Sequence, residues 1–415
     1  GGHSTRHVPL KIPGFFSDLL FQPYHCATTA IRPEWLSRDT LDRRSGLSTD
    51  DFRRLYEAPN RPFVLTDGCA SWAAIQRWTQ DRLSAEHGDL TVHAGGLEFA
   101  LKDYVQYANC SKDELPLYVF DKRFAEKCPQ LGEEYHVPKV FPDDFFSVLG
   151  EDRRPDHRWL IAGPARSGSS FHVDPNYTSA WNATVSGRKK WIMFPPGETP
   201  PGVHPSEDGL DLAAPVSIIE WFLNFYEVCH APGQKVRPLE CVVSAGEVVF
   251  VPMGWWHCVL NLEWSVAVTQ NFVSRVNLPH VIRFLLTQKH LISGLPNEER
   301  HDIGERFVSA LAAQRPELGA ADIAREARLP PIERTTRNGN EDDNGDVTDR
   351  SPELVTRMSG NEKKPRLWET LKASREHVRS PLGTNGVAGR GRGGGEEKGV
   401  GDSSSGGFSF GFSFD

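Results

Sequence analysis

Between residues 179 and 272 the chain repeats one local pattern three times: a short apolar or alternating run, a tight turn, and a second short run. Residues 179–185 and 189–194 flank Ser186-Gly187-Arg188. Residues 239–243 and 248–251 flank Ser244-Ala245-Gly246-Glu247, and 254–262 is followed at once by 264–272. Runs this short, rich in Val, Trp and Phe and punctuated by Gly, read as strand-turn-strand hairpins rather than helices. Three such units predict a mainly β fold, a double-sheet jelly-roll barrel with a cavity between its sheets.

Which face lines that cavity is written in the last strand. Ser265, Ala267, Thr269 and Asn271 share one side and are small or polar, while Trp264, Val266, Val268 and Phe272 cover the other. With a ligand inside the barrel the small, polar side becomes the inner one. Asn182 and Thr184 stand in the same relation to Trp181, Ala183 and Val185.

The rest of the chain divides around this core. Residues 1–60 read as an N-terminal helical extension, in which Ser48-Thr49-Asp50-Asp51 caps a helix carrying Phe52, Leu55 and Tyr56. Residues 61–125 form an N-terminal support with a strand over 61–68, a helix over 72–85 and a strand over 118–121. The barrel core spans 126–291, and helices over 279–288 and 298–313 carry the chain to residue 330. Residues 331–415 turn acidic, then Gly- and Ser-rich, and are expected to be a disordered tail holding a basic cluster at 363–366, a docking segment at 367–371 and a Phe-rich end at 406–414.

A net charge of −8 over 415 residues argues against nucleic-acid binding by the barrel. No apolar run reaches the roughly 20 residues a membrane helix needs. The seven cysteines include no Cys-x-x-Cys pair, which suits reduced thiols in a nuclear or cytoplasmic protein. The basic cluster at 363–366 favours the nucleus.

Ahead of the repeated units lies Ser169-Ser170-Phe171-His172-Val173-Asp174-Pro175. Side chains alternate along a strand, so His172 and Asp174 project one way and Val173 the other. A second imidazole, His257 in Pro252-Met253-Gly254-Trp255-Trp256-His257, could close the set from another strand. Two histidines and a carboxylate on one face of a metal leave the other face open, the ligand set of non-haem Fe(II) oxygenases. The same set also suits zinc, and a His-x-Asp tripeptide alone is more often an ordinary polar strand face.

Six blocks in order carry a resemblance: Pro116-Leu117-Tyr118-Val119-Phe120-Asp121, Gly163-Pro164-Ala165-Arg166-Ser167-Gly168, His172-Val173-Asp174-Pro175, Thr178-Ser179-Ala180-Trp181-Asn182-Ala183, Gly187-Arg188-Lys189-Lys190-Trp191 and Val251-Pro252-Met253-Gly254-Trp255-Trp256-His257. Residues 61–290 resemble the JmjC family of Fe(II)- and 2-oxoglutarate-dependent oxygenases, in its branch of protein-lysyl 5-hydroxylases also described as arginine demethylases. The resemblance implies a cupin-like double-stranded β-helix with flanking helices. It implies His172, Asp174 and His257 as iron ligands and Lys189 as the cation for the distal carboxylate of 2-oxoglutarate. Tyr118, Asn182 and Thr269 match positions that hydrogen-bond this cosubstrate, and Asn271 one that lines the same pocket.

The branch carries Thr-Gly where Ser169-Ser170 stand. Ser169 keeps the hydroxyl, but strict alternation points it away from His172 unless the strand kinks, and Ser170 is the substitute. Trp181, Trp191, Trp255 and Trp256 are expected either as a dry wall or as plain core, and His204 and His230 as surface residues.

The activity so implied uses Fe(II), 2-oxoglutarate and O₂ to hydroxylate lysine side chains, or to demethylate methylated arginine or lysine, in a protein substrate such as a histone or an RNA-binding protein. The alternative is a substrate-recognition module without turnover: an F-box ahead of Gly1 would make the barrel a ubiquitin-ligase adaptor. Homodimerisation through the helices after the barrel is a further expectation. A cupin-like zinc hydrolase fits the triad but not Lys189.

Overall fold

The computed structural model describes residues 18–329. The acidic stretch, basic cluster, docking segment and Phe-rich end expected at 331–415 lie outside them. The strands in chain order are β1 (Asp42–Arg44), β2 (Phe63–Leu65), β3 (Thr91–Ala94), β4 (Leu97–Ala100), β5 (Val119–Asp121), β6 (Arg158–Gly163), β7 (Gly168–His172), β8 (Ser179–Ser186), β9 (Arg188–Phe194), β10 (His204–Pro205), β11 (Leu212–Ala213), β12 (Leu239–Ser244), β13 (Val248–Val251), β14 (Trp256–Asn261) and β15 (Ser265–Phe272). Nine form one sheet in the order β1-β2-β13-β8-β15-β6-β5-β3-β4. Four form a second, β12-β9-β14-β7, and β10 and β11 pair only with each other.

The double-sheet jelly roll is present, but the three hairpins are not. β8 pairs with β13 and β15, whereas β9 pairs with β12 and β14. The turn between them therefore hands the chain from one sheet to the other, and the same holds for β12 to β13 and for β14 to β15. Local turn chemistry specifies that the chain reverses, not which strand it pairs with. Gly187, at the first corner, has φ +74, and a Cβ there would meet the Trp264 carbonyl oxygen at 2.1 Å, so only glycine lets the two corners approach.

Three apolar layers follow from strand alternation. Between the sheets, Ala180, Val249 and Val251 meet Trp191, Met193 and Val243. On the far side of the large sheet, Trp181, Val185, Val266 and Val268 pack with Trp72, Trp78 and Leu83 from the N-terminal helices. The small, polar sides of β8 and β15 thus face inward, as their pattern predicts. Outside the small sheet, Phe171, Ile192 and Phe194 are covered by Ile218, Trp221 and Phe222 of the helix Ile218–His230. Ser217 opens that helix by accepting from the Glu220 N–H at 3.1 Å.

The remaining helices follow expectation with shifted or divided bounds. Ser48 caps its helix, accepting from Asp51 N–H at 3.1 Å, and Phe52 and Tyr56 are buried. The segment read as one helix over 72–85 is two, Ala74–Arg77 and Gln80–His87, because Thr79 accepts from Arg82 N–H and restarts the turn. Leu278–Thr287 and Ile303–Gln314 build a separate cluster after the barrel, with Val281, Leu285, Phe307 and Leu311 at its centre. No described helix is long and apolar enough to cross a membrane, and all seven cysteines are free.

Candidate metal centre

β7 and β14 are antiparallel neighbours, and His172 stands directly opposite His257 in their register. The two rings lie 4.1 Å apart between centroids. Asp174 follows just past the end of β7, and one ligand atom from each of His172, Asp174 and His257 falls within 4.8 Å of the others. Each histidine Nδ1 sits beside a backbone carbonyl two residues earlier, His172 at 2.8 Å from Ser170 O and His257 at 3.1 Å from Trp255 O. An Nδ1–H donated to a carbonyl leaves Nε2 as the ligating atom and fixes the ring plane.

Asn271 orients the carboxylate. Its Nδ2 donates to Asp174 Oδ1 at 3.4 Å and to Thr178 Oγ1 at 2.8 Å. Asp174 Oδ2 is buried with no hydrogen-bond partner among the described residues. Burial pushes the Asp174 carboxyl up to about 6, against the pull of His172. Burial also holds His172 and His257 down at about 4, His172 further lowered by His257. At neutral pH the three groups are therefore two neutral imidazoles and a carboxylate, the forms that coordinate a divalent cation. An orphaned carboxylate oxygen aimed at two such imidazoles fits an iron-type or zinc-type site.

A cavity of about 290 Å³ opens from these ligands between the two sheets, and Tyr118, Ser169, Asn182, Thr269 and Asn271 all line it. Asn182 Oδ1 is buried without a partner among the described residues, whereas the Thr269 hydroxyl donates to the Trp181 carbonyl at 3.1 Å. Lys189 is fully buried. Its Nζ donates to the Tyr118 hydroxyl at 3.3 Å, and it forms no ion pair among the described residues. Burial pushes this ammonium down to about 7. The same burial raises the Tyr118 phenol far above its ordinary value, the Ser169 hydroxyl opposing it. Lys189 stands behind Tyr118 rather than in the cavity wall itself. A buried cation without an ion-pair partner, bonded to the Tyr118 hydroxyl beside the cavity, fits a carboxylate of a small anionic ligand.

Ser169 reaches this pocket through a bulge. His257 pairs with His172 and Val259 with Ser169, so three steps along β7 match two along β14. The extra residue shifts the alternation and brings Ser169 to the inner side while Phe171 packs outside. Ser170 supplies its carbonyl to His172 and does not replace Ser169.

Of the four tryptophans two form the wall and two are plain core. Trp191 and Trp256 line the cavity, Trp191 with its ring 5.8 Å from that of His257. Trp181 faces away, edge-on to Trp72, and Trp255 donates its indole N–H to Asn60 O within the packed core. Strand parity sends Trp181 outward because its neighbour Asn182 faces in. His204 is exposed, but His230 is not a surface residue. It ends the helix over the small sheet, and its Nε2 lies 2.7 Å from Glu240 Oε1.

Sequence reasoning missed the lip of the cavity. Pro205, Gly209, Leu210, Asp211 and Leu212 of the β10–β11 hairpin line it together with Phe120 and Trp159, whose rings stack at 5.2 Å. The Asp208-Gly209 pair between two short runs is a hairpin signal that could have located it.

Residues 49–277 match the family model described as a cupin-like domain. Over 305 residues the chain is 50% identical to arginine-specific demethylase JMJ22 of Arabidopsis thaliana, covering 73% of this chain and 60% of that protein. It is 38% identical over 295 residues to the bifunctional arginine demethylase and lysyl-hydroxylase psr-1 of Caenorhabditis elegans, covering 68% of this chain and 70% of that one. With the 2-oxoglutarate and iron-dependent oxygenase JMJD4 of Homo sapiens it shares 31% identity over 266 residues, covering 57% and 61%. The chain thus spans less than two thirds of JMJ22 and of JMJD4. A family match across more than half of the sequence, with this identity to psr-1 over most of its length, establishes that the chain belongs to the cupin-like JmjC family.

Proposed function

We propose that the chain is an Fe(II)- and 2-oxoglutarate-dependent oxygenase that hydroxylates lysine side chains of a protein, or removes N-methyl groups from its methylated arginine or lysine. The observation that carries this reading is the buried Lys189 ammonium, which has no ion-pair partner among the described residues and donates to Tyr118, a residue that lines the same cavity as His172, Asp174 and His257. A module that only binds its partner has no use for either. The relatives' printed activities, arginine demethylation and lysyl hydroxylation, support the same choice.

In this reading His172, His257 and Asp174 would hold the iron, the histidines through Nε2 and the aspartate through its unpartnered Oδ2. When bound, iron would activate O₂, the oxidant, with 2-oxoglutarate as two-electron co-reductant leaving as succinate and CO₂; hydroxylation of an N-methyl carbon would end in formaldehyde loss. The Ser170 and Trp255 carbonyls keep both imidazoles in the Nε2-ligating tautomer, and Asn271 keeps the carboxylate turned toward them. Lys189 and the Tyr118 hydroxyl bind the distal carboxylate of 2-oxoglutarate, with Ser169, Asn182 and Thr269 along its length. Trp191 and Trp256 exclude water beside the ligands.

A histone or RNA-binding-protein substrate, dimerisation through Leu278–Thr287 and Ile303–Gln314, and a nuclear site of action belong to the same proposal, whereas a ubiquitin-ligase adaptor without turnover, behind an F-box, is the competing one. They rest on the resemblance and on the basic cluster, not on any contact among the described residues. The test is to incubate the Fe(II)-loaded protein with 2-oxoglutarate and a cellular peptide mixture. Succinate release with gain of one oxygen, or loss of one methylene, on lysine or arginine peptides is expected; succinate-free incubation with unchanged peptides would sink the reading.

A further inference from the structure

The connection that carries Asp174 out of β7 is held in a conformation its residue types resist. Asn176 and Tyr177, two and three positions after that ligand, both have φ +57, and neither is glycine. Asparagine tolerates left-handed backbone, but a bulky tyrosine adopts it only where surrounding contacts impose it. The Asn176 side chain is buried and grips one backbone residue with both ends of its amide. Its Nδ2 donates to the Ser293 carbonyl at 3.0 Å, and its Oδ1 accepts from the Ser293 N–H at 3.2 Å. Asn277 Nδ2 donates to the Tyr177 carbonyl at 3.2 Å, and the Tyr177 ring lies 5.4 Å from that of Phe284. The turn so imposed folds Thr178 back onto Pro175, whose carbonyl accepts from the Thr178 N–H at 3.1 Å and from its hydroxyl at 2.7 Å. That hydroxyl oxygen in turn accepts from Asn271, whose other contact is Asp174 Oδ1.

We infer that Asn176 is a positioning residue for the metal ligand Asp174, and that residues 292–295, outside both sheets, are the fixed point it pulls against. Ile292 and Leu295 are buried in the cluster after the barrel, so the Ser293 backbone between them is anchored. The same segment reaches the ligand by a second route. The Gly294 carbonyl accepts from Asp156 N–H at 2.9 Å, and the next carbonyl, that of His157, accepts from Asn271 N–H at 2.7 Å. One side of the Asp174 carboxylate is thus set by Asn271 and the course of its backbone by Asn176, both braced by the post-barrel segment. The inference rests on the metal-binding part of the oxygenase reading and not on turnover. Groups that orient a ligand without touching the metal typically govern its affinity by ten- to a hundredfold.

The experiment titrates the full chain with Mn(II), reading the unbound ion by electron paramagnetic resonance, and measures the urea midpoint of each metal-free protein. Asn176→Gly leaves the left-handed backbone accessible and removes only the amide. It is expected to raise the Mn(II) Kd about tenfold. Two controls separate positioning from general loosening. Ile323→Ala, in the helix Ala320–Ala327 of the same cluster, is expected to lower the urea midpoint and keep the wild-type Kd. Ser293→Ala removes a hydroxyl with no partner among the described residues but keeps the backbone atoms that Asn176 grips, and is expected to change neither quantity. A wild-type Kd in Asn176→Gly overturns the assignment, as does an equal rise in Ile323→Ala. Should Asn176→Gly fail to fold, Asn176→Ser, which also breaks the two-point grip, decides by the same criterion. Failure of the wild type itself to bind Mn(II) would overturn the metal reading and the positioning role with it, whereas tight binding without succinate release would refute the reaction alone.

Discussion

A lysine buried without a carboxylate beside it is an expense that folding alone does not explain. Lys189 is fully buried, its nearest polar partner is a phenol 3.3 Å away, and burial holds its ammonium down at about 7. Placing a carboxylate of 2-oxoglutarate against it would favour the charged form and raise that value. Above pH 7 the empty site is neutral and the filled one charged, so binding takes up a proton and affinity falls as pH rises. We expect the Kd for 2-oxoglutarate to climb between pH 7 and 9, by up to about tenfold per pH unit, with proton uptake visible as buffer-dependent heat in calorimetry. A flat profile with no uptake would show that Lys189 does not meet the ligand. Lys189→Met separates function from stability at the same position. It removes an uncompensated charge, so the chemical-denaturation midpoint is expected to hold or rise, while 2-oxoglutarate affinity falls by roughly ten- to a hundredfold.

At the scale of single elements, β7 decides the site. Its bulge places Ser169 and His172 on one face although they are three residues apart, and Gly168 marks its beginning with φ +143. A Cβ there would meet the Val259 carbonyl oxygen at 2.0 Å, a backbone atom that cannot step aside. Gly168→Ala is therefore expected to destabilise the protein by more than about 1 kcal/mol and to weaken metal retention, read by denaturant midpoint and by metal content after gel filtration. On the opposite face of β9, Lys190 solves the problem that Lys189 leaves open. Its Nζ lies 2.7 Å from Glu240 Oε2, both are fully buried, and Tyr226 OH donates to the same oxygen at 2.9 Å. This network ties β9 and β12 to the helix Ile218–His230 through Tyr226. It fixes which of two adjacent lysines points out. Glu240→Ala strands the Lys190 charge, and a loss of roughly 3–5 kcal/mol is expected by denaturant unfolding; a loss below 1 kcal/mol would mean that water reaches the cluster.

For the molecule as a whole, the legible parts are those set by alternation within one strand. The inward faces of β8 and β15 follow from period two alone, and His172 with Asp174 from the same spacing carried just past the end of β7. What pairing between distant strands decides was hidden: the bulge that turns Ser169, the corners that look like hairpins, and the burial of Lys190 and His230, which depends on a helix more than twenty residues downstream of β9. The same distribution of parts yields a prediction that no single element makes. His172 and His257 come from the small sheet, Asp174 from the connection after β7, Asn182 and Thr269 from the large sheet, and Lys189 from β9. Metal and 2-oxoglutarate would therefore bridge both sheets and bind only when they are stacked. A ligand that binds only the folded state stabilises it by RT ln(1 + [L]/Kd), about 2.7 kcal/mol at a hundredfold excess over Kd. In a domain of this size that corresponds to a rise in Tm of a few degrees, about 3–6 °C. Mn(II) alone is expected to give part of this shift, and 2-oxoglutarate alone little, because its chelating end lacks the metal. Both together should give the whole. His172→Ala should fold with an unshifted circular-dichroism spectrum and lose the metal-dependent part. Differential scanning fluorimetry of the two proteins across these four conditions checks it. Equal shifts in wild type and variant would mean that the metal binds elsewhere, and the triad would then be a coincidence of strand register.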